Sequence, residues 1–337
     1  MAGSALVLVA NAGDGSISTF AATADGLDRL AVSPLGAKCS TFAIDAERDL
    51  VYAGVGGGNP EIVTLRLDRT TGQLTDIGRH RVADSPTYLA LNAAGTVLAG
   101  AFYHSGVGTA WSIADGTLTD GPDRIEYPNV HCVAISPDQA SAYFVSLGAD
   151  QIVHCRLGED ASLENLGETA APARSGPRHL ILNRAGTSAY VVTEFTAEVL
   201  HYKRAEDGSL TLGEQAPIFH PDRSLTLSTF GADPRAEHLV WGADLHLSHD
   251  ESHLWCSERT ESTIATIPVR PDGTIGDPIA FADVEEQPRG FCVLHDGRVL
   301  VTGERSTTVS LYNVAEGKLV RQDQAETGKG ANWARPV

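Results

Sequence analysis

The 337-residue sequence predicts an all-β fold, a seven-bladed β-propeller whose ring is closed by the C-terminal strand pairing into the first blade. Three observations predict it. A tight-turn signature recurs seven times, a strand–turn–strand segment recurs ahead of the turns, and the two chain ends each supply part of one blade.

The turn signature is an Asp-Gly-like pair, then a polar residue and an aliphatic one. Its copies are Asp25-Gly26-Leu27, Thr71-Gly72-Gln73-Leu74, Asp115-Gly116-Thr117-Leu118, Glu159-Asp160-Ala161-Ser162-Leu163, Asp207-Gly208-Ser209-Leu210, Asp272-Gly273-Thr274-Ile275 and Glu316-Gly317-Lys318-Leu319. Such pairs supply the positive φ angles of hairpin turns. The closing aliphatics are about 45 residues apart, with one interval of about 65. Alternating strands precede the turns, as in Ser16-Ile17-Ser18-Thr19-Phe20. A period of roughly 40–45 residues with four short strands per unit is that of a propeller blade.

The second segment reads strand, turn, strand. Ile135-Ser136-Pro137-Asp138 leads to Ala142-Tyr143-Phe144-Val145, and Leu182-Asn183-Arg184 leads to Ala189-Tyr190-Val191-Val192. Its first strand is expected to line a central channel. The N-terminal run Leu6–Asn11 begins at the second-strand position, and Gly330-Ala331-Asn332-Trp333-Ala334 fits an inner strand. Pairing the two closes the ring and hides edges that would otherwise template aggregation. The long interval marks an insertion at 215–239, expected as a loop on the top face and a candidate lid. Residues 1–337 are read as one propeller domain.

Composition narrows the functions. Net charge is −18, so nucleic acid and anionic membranes are not expected partners, since both need a basic face. No apolar run approaches the ~20 residues that span a bilayer, and the start of the chain does not read as a signal peptide. Five scattered cysteines without a Cys-x-x-Cys pair read as reduced core thiols of a cytoplasmic protein. There is no Walker phosphate loop, no His-Glu-x-x-His and no nucleophile elbow. The glycines Gly54, Gly56, Gly57 and Gly58 look phosphate-binding in isolation, but no helix is expected after them, so they read as a turn. Neither cofactor nor metal is expected.

Aligning the repeats turns columns of sequence into rings of side chains. The residues entering the inner strands are Ser40, Thr87, His131, Arg178, Ala243, Arg289 and Asn332. The next column adds Thr41, Tyr88, Cys132, His179, Asp244, Gly290 and Trp333, with His246 two residues past Asp244 on the same strand face. The ends of the second strands give Asn11, Gly56, Phe102, Leu147, Glu194, Arg259 and Glu304. A core column would be uniformly apolar; these are polar and concentrated on the later blades. Two arginines, a histidine and a carboxylate around one cavity can hold and polarise an oxygen-rich anion. The same residues also read as ion pairs, Arg178 with Glu194, Arg289 with Glu304, and Asp244 with Arg259. Tyr103 and His104 sit just beyond a second strand, within reach of the mouth.

Gly176-Pro177-Arg178-His179, Glu194, Trp241-Gly242-Ala243-Asp244-Leu245-His246, Cys256-Ser257-Glu258-Arg259-Thr260 and Gln287-Pro288-Arg289-Gly290-Phe291 together resemble the seven-bladed propeller lactonase family, which includes 6-phosphogluconolactonases and is related to carboxy-cis,cis-muconate cyclase. The resemblance implies catalytic residues His131, Arg178, Glu194 and Arg289. Substrate-binding roles are expected for His179, Asp244, His246, Arg259, Glu304, Tyr103 and His104. The first three blades depart from the family pattern. The expected function is hydrolysis of a sugar lactone, 6-phosphogluconolactone or a related aldonolactone. The arginines would stabilise the oxyanion, and Glu194 or His131 would serve as general base. A small anionic lactone or sugar acid is the expected partner of a monomer or weak homo-oligomer. A lactone-forming cycloisomerase acting on a muconate-type diacid and a non-catalytic binding propeller are the competing readings.

Overall fold

The computed structural model describes residues 5–337. Its strands form seven four-stranded antiparallel sheets. Blade 1 joins residues 5–34 to Ala331–Pro336; blades 2 to 7 span 39–81, 88–126, 130–170, 177–217, 242–283 and 291–326. In every blade one end strand of the sheet is innermost, Tyr88–Leu91 and Val130–Ile135 for example, and neighbouring inner strands touch around the ring.

The closure expected from the chain ends is present. Ala331–Pro336 pairs antiparallel with Ala5–Asn11, with Leu8 opposite Arg335 and Ala10 opposite Trp333. The Trp333 indole reaches across to donate to the Phe42 carbonyl of blade 2 at 3.0 Å.

Burial follows from where each strand lies. Second strands such as Ser141–Ser146 and Ser188–Thr193 are buried along their whole length, because blades pack on both of their faces. Outer strands such as Leu163–Ala170 are mostly exposed. Seven apolar clusters fill the seven gaps between blades; Tyr143, Val145, Leu180, Val191 and Tyr202, for example, join blades 4 and 5. Burying a side chain of this kind contributes about 1.5–3 kcal/mol, so the ring is held mainly by its inter-blade gaps.

The turn glycines recur for a packing reason as well as a conformational one. Asp115 and Gly116 have φ of 49° and 77°, and Glu316 and Gly317 have 51° and 77°, as a mirror-image hairpin turn requires. Each turn also docks on the preceding blade. Tyr143 donates to the Gly208 carbonyl at 2.6 Å, and Tyr190 to that of Gly273 at 2.7 Å. A Cβ at Gly273 would lie 2.1 Å from the Ser188 hydroxyl, so glycine is required there twice over.

The 215–239 insertion lies over blades 5 and 6. It holds a short 3-10 turn, Pro221–Arg223, and a one-turn helix, Pro234–Glu237. It is pinned by Arg223 to Asp283 (2.9 Å) and by Arg235 to Glu286 (2.9 Å). All five cysteines are buried and unpaired, and burial lifts the Cys39, Cys132, Cys155 and Cys292 thiols to about 12. Among the described residues no helix is long and apolar enough to cross a membrane.

Candidate active site

The channel mouth is shaped by irregularities at the starts of the inner strands. Ser40, His131, Arg178 and Asn332 are each the extra residue of a β-bulge, and in blade 6 Ala243 and Asp244 together oppose Ser257. A bulge leaves one residue outside the ladder and re-aims its side chain. Thr87 and Arg289 stand just ahead of their inner strands. The column read from the sequence is therefore a ring of residues released from the ladder.

A cavity of about 360 Å³ opens here. It is lined on one side by His131, Arg178, Glu194, Trp241, Arg259 and Arg289, and on the other by residues of blades 2 and 3, among them Tyr103 and His104. Seven of the eleven expected site residues thus line it, His131, Arg178, Glu194, Arg259, Arg289, Tyr103 and His104, together with the unexpected Trp241. No residue of the 215–239 insertion lines it, so the insertion is not a lid over this cavity; it packs beside the mouth, Ser228 donating to the Phe195 carbonyl at 2.9 Å.

The arginines are not equivalent. Arg178, 1% exposed, donates through Nε to Glu194 Oε2 at 2.9 Å and through Nη1 to the Ala243 carbonyl and to His179 Nε2. Arg259 donates through Nη2 to the same Glu194 oxygen at 2.9 Å and to the Gly242 carbonyl at 3.0 Å. Its guanidinium lies 3.7 Å from the Trp241 ring centre, a cation–π stack. Among the described residues Arg289 bonds only Glu304, at 3.1 Å through Nη1, and it is the most accessible of the three. Two guanidiniums are thus built in, and the third keeps donors to spare.

Charge and burial set the protonation states. Burial works against the charge on Glu194, but Arg259 and Arg178 outweigh it and hold the carboxyl below its ordinary range. Burial and the neighbouring Arg259 pull Arg178 down to about 9, which leaves it charged at neutral pH. Burial, then Arg178 and His179, push His131 well below the ordinary histidine range, so its imidazole is neutral. Its Nδ1 is buried with no partner among the described residues, and Tyr103 packs edge-on at 5.7 Å.

Three expected substrate-binding residues are placed differently. His179, Asp244 and His246 do not line the cavity; they form a chain beneath its floor. The bulge sends Arg178 upward and turns the next residue, His179, into the channel. Burial and Arg178 lower His179 to about 3. The neutral ring therefore donates from Nδ1 to Asp244 Oδ1 at 2.8 Å and accepts from Arg178 at Nε2. Asp244 Oδ2 meets His246 Nε2 at 3.2 Å. Asp244 and Arg259 form no pair with each other; each has a nearer partner, His179 and Glu194 respectively. Glu304 also lies outside the lining, behind Arg289, where it additionally accepts from Gln287 at 2.7 Å.

Sequence reasoning missed Glu258. It is fully buried and accepts the backbone amides of Trp241 (2.8 Å), Thr260 (3.0 Å) and Glu261 (2.8 Å). It thereby fixes the turns that carry Trp241 and Arg259. Its position inside the Cys-Ser-Glu-Arg-Thr run was the available signal. Among the described residues, no group of three or more His, Cys, Asp or Glu side chains is arranged to hold a metal ion.

Known proteins share this architecture. A 6-phosphogluconolactonase of Enterobacter sp. (strain 638) is 26% identical over 301 residues, covering 87% of this chain and 86% of that protein. One from Klebsiella pneumoniae is 24% identical over 327 residues, covering 94% of each. Among solved structures, the periplasmic gluconolactonase of Pseudomonas aeruginosa superposes with a TM-score of 0.87 at 22% identity over 99% of both chains, and a protein of Lactobacillus plantarum does so at 0.87 and 21%; these likenesses establish the fold. The model of the lactonase family with a seven-bladed β-propeller matches residues 9–335. The chain belongs to that seven-bladed β-propeller lactonase family.

Proposed function

We propose that the protein hydrolyses an aldonolactone, 6-phosphogluconolactone foremost, at this cavity. One observation carries the reading: a neutral, partly unsatisfied imidazole, His131, shares the cavity with three guanidiniums and a single lining carboxylate. The names of the relatives support the lactone class.

The bonding pattern favours His131 over Glu194 as the base, because its neutral ring is not committed to a guanidinium. Glu194 is ionised, but one oxygen is committed to two guanidiniums, which lowers its basicity; its role is to orient Arg178 and Arg259. His131 takes a proton from water as the water oxygen attacks the lactone carbonyl carbon. The carbonyl oxygen becomes an oxyanion facing Arg289 and Arg178. Collapse breaks the acyl–ring oxygen bond, and the imidazolium returns its proton to the leaving alkoxide. Water and lactone give one open hydroxy acid, and no electron changes hands. The imidazolium forms only as the oxyanion forms, so net charge near the arginines is constant through the step. The five buried, unpaired thiols fit a reducing compartment such as the cytoplasm.

The test is acid release from glucono-δ-lactone and 6-phosphogluconolactone by the purified full chain, corrected for spontaneous opening. Hydrolysis is expected, and Glu194→Gln is expected to lower it by about 10²–10³-fold, the scale of losing an oxyanion support. A wild-type protein that accelerates neither lactone would overturn the reading; unchanged turnover in the variant would remove Glu194 from the site.

A further inference from the structure

The glycine cluster that reads as a plain turn in the sequence lies on the cavity. Gly54, Gly56 and Gly57 line its blade 2 side with Lys38 and Ser40, and Ser85 and Thr87, which lead into blade 3, stand beside them. This half carries no part of the hydrolytic machinery proposed above.

Its chemistry is distinctive. Each lining arginine is paired to a carboxylate, Arg178 and Arg259 to Glu194 and Arg289 to Glu304. Lys38 is exposed and forms no ion pair among the described residues, and it is one of only four lysines in the chain. The Gly56 amide donates to the Lys38 carbonyl at 2.8 Å, which fixes the lysine to the rim. A Cβ at Gly56 would lie 2.6 Å from the Ser85 hydroxyl, so the bare backbone lets that hydroxyl approach. Gly57 has φ of 114°, a conformation reserved for glycine, and nothing lies within 4 Å of where its Cβ would be. Asp84, next to Ser85 in the chain, is outside the lining and already accepts the Ser85 and Ser105 amides at 2.7 and 2.9 Å. An unneutralised ammonium, serine hydroxyls and open glycine backbone suit an anion with several acceptor oxygens. In a chain of net charge −18, such a local positive centre is needed to admit a dianion.

We infer that the blade 2–3 side of the cavity is a phosphate subsite, with Lys38, Ser40, Ser85 and the Gly56–Gly57 backbone receiving a phosphate monoester at the end of the substrate remote from its carbonyl. The inference rests on the lactonase reading for the identity of the substrate, and its own test does not depend on turnover. Binding of 6-phosphogluconate and of gluconate to the full chain is measured by calorimetry, for the wild type, Lys38→Gln and Ser85→Ala. The wild type should bind the phosphorylated acid roughly tenfold or more tightly, the scale of a charge-assisted contact. Lys38→Gln should remove most of that preference, and Ser85→Ala part of it. The ratio of kcat/KM for 6-phosphogluconolactone over glucono-δ-lactone should fall in step, chiefly through KM. Equal affinity for the two acids in the wild type, or a preference unaltered by Lys38→Gln, would overturn the subsite. Failure to hydrolyse either lactone would instead sink the lactonase reading, while the calorimetric ratio would still decide the subsite.

Discussion

The two halves of the channel mouth are built on opposite plans. Blades 4 to 7 present charge that is buried and braced: Glu194 holds Arg178 and Arg259, Trp241 stacks on Arg259, and His179 and Asp244 support Arg178 from below. Blades 2 and 3 present mostly small side chains and bare backbone, with Tyr103, His104 and one exposed ammonium. Bracing costs desolvation but fixes donors where charge develops, which is what a transition state needs. The open half can admit and release different substrate ends without disturbing that geometry. Reaction and selectivity are therefore separable by blade, and substitutions should divide accordingly.

The largest effect is expected at His131. His131→Asn keeps a polar side chain but removes the proton carrier, and kcat should fall by about 10²–10⁴-fold. Steady-state rates on a lactone check this; a loss confined to KM would place His131 with the selective half. A middle-sized effect is expected from the braced half on acidification. His179 is held neutral down to about 3, against an unfolded value of about 6.5. The folded state then binds fewer protons than the unfolded one across that window. Stability that is present above about pH 6.5 is lost as pH falls, by about 1.4 kcal/mol per pH unit from this group. Urea midpoints between pH 7 and 5 measure it, and His179→Gln should flatten the slope. The smallest effect is expected in the open half. Gly56→Ala only pushes the Ser85 hydroxyl aside, so a few-fold rise in KM and less than about 1 kcal/mol of stability should follow. A collapse of kcat in that variant would show that the halves are coupled.

Much of this was legible because a propeller repeats. Turn spacing sets the blade number, and aligning the columns alone brings His131, Arg178, Glu194, Arg259 and Arg289 to one mouth. Depth was not legible. His179, Asp244 and His246 share polar columns with the lining residues, but only the bulge at Arg178 shows that the next residue faces below the floor. The partners of Asp244 and Arg259 were misassigned for a related reason: a column fixes height around the ring, not which neighbour is nearer. The glycine cluster reads as a plain turn in the sequence because phosphate loops are usually followed by a helix. Here the supporting groups, Lys38 and Ser85, come from flanking strand ends and the next blade, a relation that local sequence does not display.

The inner-strand bulges carry one more consequence, for change over time. The extra residue of a bulge has no partner across the ladder, so replacing its side chain leaves the blade's backbone hydrogen bonds in place. Ser40, His131 and Arg178 occupy such positions on three different blades, all lining one cavity. They amount to interchangeable sockets on a fixed rim. A chain with this ring can acquire a new substrate, or lose its chemistry and keep a binding surface, by refitting a few sockets while the seven inter-blade cores stay as they are.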